Sequence, residues 1–272
     1  MLELEHRFRV VDVHSRLTLD DAVTARGRAI SPEKLEREMH QAGVVAAVVF
    51  AGPREGKSYL KANNAVARRS VDRPFVAFAR IDGPRDPTGG ATARLRNLGA
   101  RRKDHHTSPE DVEQYAYDDR FHGFKLDPVS DGLPTDDVLD RLEDVDLPVL
   151  VRAGRGFPPA SAAETLLDRS FPVVLSHFGG FPLDRDLMDD AIDLLADNDD
   201  CYLDTSFVRY REPLERAVME HPDRVLFGSG APSAHPNVAV MEVLTLDVPE
   251  DAMRKVFSRN PSRVVDGLAP EH

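Results

Sequence analysis

The sequence predicts a single-domain (β/α)8 (TIM) barrel on three observations. Eight short apolar runs alternate with polar, amphipathic stretches along the chain. The runs are nearly continuous in hydrophobicity, as in parallel strands covered on both faces. The 272 residues suit one such barrel, commonly about 250 residues long, and no shift in composition marks a second domain. Eight runs favour a closed barrel over an open doubly wound sheet.

In chain order the strand runs are residues 8–14 (FRVVDVH), 44–50 (VVAAVVF), 75–81 (FVAFARI) and 123–126 (GFKL). Residues 148–152 (PVLVR), 172–177 (PVVLSH), 201–206 (CYLDTS) and 225–229 (VLFGS) complete the set. Between them the pattern turns helical. Ser31 before Pro32 and Glu33 is an N-cap followed by proline in the first turn, and Leu35, Met39 and Ala42 keep helical spacing. Leu187, Ala191, Leu194 and Leu195 share one face, with Asp189, Asp190 and Asp193 opposite. Pro249 and two acids open another helix over 249–256. Residues 101–120 and 51–61 resist this pattern. They read as long loops, which in a barrel frame the site at the C-terminal ends of the strands.

Composition excludes several classes of function. No apolar run reaches the roughly 18 residues of a membrane span, and the N-terminus lacks the pattern of a signal peptide, so a cytoplasmic protein is expected. Cys201 stands alone, which excludes an internal disulfide and a cysteine metal cluster. The net charge of -12 disfavours nucleic acid as a partner. Only six of the 35 basic residues are lysine, and aspartate outnumbers glutamate by 31 to 16. Such a surface suits concentrated salt, where the Debye length falls to about 3 Å, and predicts a halophilic protein.

Side chains two apart on a strand share a face, so Asp12, His14 and Arg16 are expected to point inward from the first strand. The matching tips are Arg80, Lys125, Arg152, His177, Asp204 and Gly230 on the third to eighth strands. His235, just beyond the last strand, could reach over the mouth. His105 and His106 read as solvated. Ser229 lacks the G-x-S-x-G context of a serine nucleophile, and HFGGFP lacks the lysine of a phosphate-cradling loop.

These segments resemble, in order, the amidohydrolase superfamily, in particular its branch of small-acid decarboxylases and lactone hydrolases. VDVHSRL resembles that family's first-strand Asp-x-His-x-His motif, and GFKLDP its fourth-strand Gly-x-Lys. LPVLVRAG is similar to a fifth strand ending His-x-Gly, FPVVLSHFGG to the sixth-strand His-x-Gly-Gly, and YLDTS to the seventh strand. RVLFGSGAP and VFSRNPSRVV match the eighth-strand segment and the terminal helix. The likeness runs from about Phe8 to Val265. It implies a barrel hydrolase or lyase, with dimers common.

The departures bear on mechanism. Arg16 stands at the family's second histidine, Arg152 at the fifth-strand histidine and Gly230 at the eighth-strand aspartate. Arginine stays protonated and cannot ligate zinc, and His14 and His177 alone fall short of three protein ligands. The expectation is therefore no metal and no other cofactor. Arg16, Arg80, Lys125 and Arg152, with His235, would bind a small anionic molecule, while His177, Asp204 and His14 would be catalytic.

A competing expectation fills the pocket with salt bridges from Arg16 and Arg152 to Asp12, Asp127 and Asp204. Three functions follow: a metal-independent hydrolase or lyase on a small carboxylated substrate such as a lactone; a non-catalytic anion-binding or subunit-scaffold barrel; and a metal-dependent enzyme with an altered ligand set.

Overall fold

A computed structural model of the protein describes residues 6–18, 30–54, 56–88 and 90–270. The strands are β1 (Val10–Leu17), β2 (Val44–Ala51), β3 (Phe75–Ile81), β4 (Phe121–Leu126), β5 (Val149–Gly154), β6 (Val173–Phe181), β7 (Cys201–Asp204) and β8 (Val225–Leu226). They pair in sequence order, every pair parallel, as the sequence predicts for a barrel. Helices α1 (Pro32–Ala42), α2 (Leu60–Ser70), α3 (Gly90–Leu98) and α4 (Pro109–Ala116) lie between β1 and β4. Next come α5 (Pro128–Asp131), α6 (Asp136–Val145), α7 (Pro159–Ala162), α8 (Arg185–Leu194) and α9 (Arg211–Glu220). Helices α10 (Pro236–Leu244), α11 (Glu250–Arg254) and α12 (Asn260–Val264) close the chain.

Local chemistry sets the helix ends. The Ser31 hydroxyl accepts from the Lys34 amide, and Gly43 ends α1 in the left-handed region. The stretch expected to be a polar excursion holds α4, whose capping box joins Ser108 and Asp111. The buried face of α8 is Met188, Ala191 and Ile192, one step from the face expected. His105 and His106 are half-buried against each other rather than fully solvated.

Two apolar layers form the core. The larger lies between strands and helices, with Phe124, Leu142, Phe171 and Phe257 among its members. The smaller takes alternate residues, Val11, Val13, Val48, Phe50, Val76, Phe78, Leu150, Val174, Tyr202 and Leu226, which by alternation face the barrel axis. Val264, Val265 and Leu268 join this inner layer. At Gly123 a Cβ would lie 2.5 Å from the Phe78 ring, so only glycine leaves room for that ring.

The barrel closes without a regular ladder between β8 and β1. The Val13 amide donates to the Phe227 carbonyl (2.9 Å), Gly230 to His14 (3.0 Å) and Arg16 to Ala231 (2.8 Å). Asp12 rivets this seam. Its carboxylate accepts from the Ser229 amide (2.8 Å) and hydroxyl (2.5 Å), the His14 amide (2.8 Å) and the Ser15 hydroxyl (2.8 Å). Asp12 therefore departs from the inward face that strand parity assigned to it. The register of β1 shifts between Asp12 and Ser15, so Val11 and Val13 face inward below the shift and His14 and Arg16 line the mouth above it.

Candidate active site

The C-terminal strand ends surround a cavity of about 230 Å³, lined by His14, Arg16, Phe50, Arg80, Lys125, Asp127, Arg152, His177, Phe181 and Phe207, among others. One strand tip after another supplies a polar side chain, and three phenylalanines shape the walls.

One side of the mouth is a buried His–His–Asp–Ser network. His14 Nδ1 donates to Asp204 Oδ2 (2.7 Å). Asp204 Oδ1 accepts the His177 amide (3.0 Å), the Ser206 amide (2.9 Å) and the Ser206 hydroxyl. With its proton given to Asp204, Ser206 Oγ accepts from His177 Nδ1 (2.9 Å). This assignment leaves Nε2 of both histidines as the lone pair. The rings lie 4.9 Å apart. His177 is held in the left-handed region (φ 59), as is Phe178 (φ 55), so the end of β6 kinks to bring the ring to the mouth. Burial pushes His177 well below the usual imidazole value, and His14 adds to the shift. Burial alone would raise Asp204, but His14, His177 and Ser206 together hold it well below the usual carboxylate range.

The cations of the mouth, on β1, β3, β4 and β5, are in two states. Arg80 is fully engaged: Nε donates to Asp131 (2.8 Å), Nη1 to the Ala51 carbonyl (3.1 Å) and Nη2 to the Ser130 hydroxyl (2.9 Å). Arg152 donates to Asp127 (3.1 Å) and lies over the Phe181 ring at 4.1 Å. Burial would raise Asp127, but Arg152, Lys125 and Arg80 hold it below its ordinary value. Arg16 and Lys125 differ. Arg16 makes no ion pair with any described residue, and burial together with Arg80 and Arg152 lowers its pKa. Lys125 Nζ is buried with no hydrogen-bond partner. Burial pushes that ammonium down to about 7, against the pull of Asp127. Among the described residues, Arg80 and Arg152 are thus ion-paired and Arg16 and Lys125 are not.

The structure gathers most of the residues singled out in the sequence. His14, Arg16, Arg80, Lys125, Arg152 and His177 line one cavity. Asp204 lies beneath the histidines, fully buried, with both oxygens engaged. His235 does not line the cavity. It caps α10, its Nδ1 accepting from the Asn237 amide (3.2 Å). Of the salt bridges expected to fill the pocket, Arg152–Asp127 is made, whereas Asp12 and Asp204 bond elsewhere. Residue-type reasoning missed Ser206, Asp131 and the three phenylalanines. A serine two residues after Asp204 was the available signal for the first.

The expectation of too few metal ligands needs correction. His14, His177 and Asp204 each offer a donor atom, all within 4.8 Å of one another. Two imidazoles and one carboxylate fit a single divalent ion in number and type. Gly230, at the position of the eighth-strand acid, adds nothing. Its φ is +72, and a Cβ there would lie 2.6 Å from the Phe207 ring.

An eight-stranded α/β barrel with polar groups converging at its C-terminal mouth is the architecture of barrel enzymes. The chain belongs to the amidohydrolase family, whose sequence profile matches residues 9–267. No curated protein matches it. Among solved structures it is similar to an uncharacterised TIM-barrel protein from Bordetella bronchiseptica, at 19% identity and a TM-score of 0.69, covering 96% of this chain and 99% of that one. It is also similar to a 2,6-dihydroxybenzoate decarboxylase from Rhizobium (17% identity, 95% and 98% coverage, TM-score 0.68). A third is a dihydroxybenzoic acid decarboxylase from Polaromonas sp., solved with manganese and the inhibitor 2-nitroresorcinol (14%, 95% and 97%, 0.67). At these identities the likeness shows the fold alone. No helix among the described residues is long and apolar enough to cross a membrane.

Proposed function

We propose that the protein is a hydrolase or lyase acting on a small carboxylated substrate held in the barrel mouth, and that its own side chains carry the chemistry without a metal. The observation that carries this reading is a pair of basic side chains sharing a cavity with the two histidines: among the described residues Arg16 makes no ion pair, and Lys125 Nζ has no hydrogen-bond partner and lies over the Phe50 ring at 5.4 Å. Arginine's planar fork suits a carboxylate, and the three phenylalanines among the lining residues reduce the polar surface around it. His177 Nε2 takes a proton from water as its oxygen bonds to an ester or lactone carbonyl carbon, and returns it to the alkoxide oxygen that leaves when the acyl C–O bond breaks. Lys125 and Arg16 stabilise the negative charge that develops on oxygen. Asp204 and Ser206 fix the two rings and their tautomers, so Asp204 is a positioning residue rather than the base. Calorimetric titration with benzoate and succinate tests the pocket: binding that Arg16→Met weakens is expected. Absence of heat with every acid would sink the reading.

One observation favours a second reading, the convergence of His14, His177 and Asp204. These residues would hold a divalent ion, which supplies Lewis acidity toward a substrate oxygen. The manganese-bound structural neighbour is compatible with it. Metal analysis of protein purified without chelator decides between the two. Stoichiometric zinc or manganese, lost in a His14→Ala/His177→Ala double variant, would replace the metal-free mechanism.

A further inference from the structure

Arg152 and Phe181 form a shared wall. On one face they line the polar mouth, and on the other a second cavity of about 200 Å³. The remainder of that cavity is mostly apolar side chain or backbone, from Val129, Gly154, Gly156, Phe157 and Pro182, with Arg155 as its one further charged residue, tied to Asp184 (2.8 Å). Val129 stands at its edge 53% exposed, an apolar side chain on a four-residue helix that otherwise carries polar or small residues. The space depends on a glycine. A Cβ on Gly156 would lie 2.6 Å from Val129 Cγ2, so any larger residue there would crowd the Val129 side.

We propose that this annex takes the apolar arm of the acid whose carboxylate sits against Arg16 and Lys125, making Gly156 and Val129 determinants of substrate length. The proposal rests on the anion-pocket reading above. Its further step comes from geometry: Arg152, its guanidinium over the Phe181 ring at 4.1 Å and bonded to Asp127, lines both the polar and the apolar cavity. A ligand spanning the two keeps its head among cations and its tail among hydrocarbon, with Arg152 packed along its middle. The substrate class is therefore a monocarboxylate with an alkyl or aryl extension of several carbons, rather than a compact dicarboxylate.

The test is binding of butanoate, hexanoate and octanoate, followed by ligand-observed NMR or calorimetry, on wild type, Gly156→Val and Val129→Trp. In wild type the affinity should climb roughly threefold to fourfold per methylene, the ratio expected for burying about 0.8 kcal/mol of CH₂, until the annex is full. Both variants should bind butanoate as wild type does and lose the gain with length. Val129 is exposed, so Val129→Trp keeps the test alive if Gly156→Val fails to fold. A length gain that survives both variants, or no gain in wild type, overturns the annex and leaves the anion pocket standing. Failure of all three acids to bind wild type overturns both.

Discussion

Arg16 and Lys125 face one cavity yet respond differently to a change of conditions. Arg16 keeps its charge at any ordinary pH, so Arg16→Met removes a fixed partner for a carboxylate. The dissociation constant for benzoate should rise about 10- to 100-fold, the range for one lost charge-assisted hydrogen bond, with little change in melting temperature. Lys125 is titratable where it matters, its ammonium held down to about 7. A bound carboxylate favours the protonated form, so affinity should weaken as pH climbs through about 7 and level off above it. Lys125→Met should give weaker binding and a flat profile over the same range, checked by titration at several pH values. Residue type and strand parity made both cations legible in the sequence. Parity did not reveal which arginines are already spent, because the partners of Arg80 and Arg152, Asp131 and Asp127, lie on α5 and the residue before it. Gly230 shows the same limit. The sequence shows a missing acid, but only packing shows that Phe207 has taken its space. Gly230→Asp should accordingly fail to enlarge the donor set. It should destabilise the fold by about 1–3 kcal/mol, from strain at positive φ and overpacking, read by denaturant unfolding.

Among the elements, β8 is the weakest as a strand and the most dependent on side chains. Two residues of ladder join it to β7, and its seam with β1 relies on isolated backbone bonds and the Asp12 carboxylate. Asp12 is wholly buried and satisfies four donors, two of them at the register shift and two on the chain just past β8. Asp12→Ala would strand those donors away from water, at a cost of about 3–5 kcal/mol. The unfolding midpoint in urea should fall accordingly, and His14, whose amide Asp12 holds, should bind ligand less well in what remains folded. Hydrophobic runs located all eight strands because apolar continuity reports burial on both faces, and β3 begins and ends where the runs predict. They could not locate the β1 shift or the kink at His177 and Phe178. Both arise from side chains and backbone angles chosen to fit the seam and the mouth, and neither leaves a trace in periodicity.

At the scale of the whole molecule two electrostatic effects oppose each other, and salt separates them. The net charge of -12 produces self-repulsion that falls as acids are protonated or screened. Surface ion pairs such as Arg216 with Asp193 (2.6 Å) and Glu220 (3.1 Å) offset part of it, each worth about 0–1 kcal/mol and also screened by salt. The excess of acid over base leaves repulsion as the larger effect, so molar KCl should raise the unfolding midpoint. Equal stability with and without KCl would remove the case for a protein adapted to salt. The buried site responds to pH in the opposite sense from the surface. His177, Asp204 and Asp127 all have folded-state values below those of the unfolded chain, so the unfolded state binds more protons in acid. Their stabilising contribution is complete above the unfolded values, about 6.5 for the histidine and 3.8 for the aspartates, and is lost as pH falls toward the folded ones. At low salt, relief of surface repulsion between pH ~7 and ~5 should mask the loss from His177. In molar KCl the surface contribution is muted and the buried one is less so, because the main cause of the His177 shift is burial away from water rather than a long-range charge that salt would screen. The melting temperature should therefore fall more steeply with acid in KCl than without it. His177→Asn should flatten the KCl curve above pH ~5 while leaving the low-salt curve tilted toward greater stability in acid.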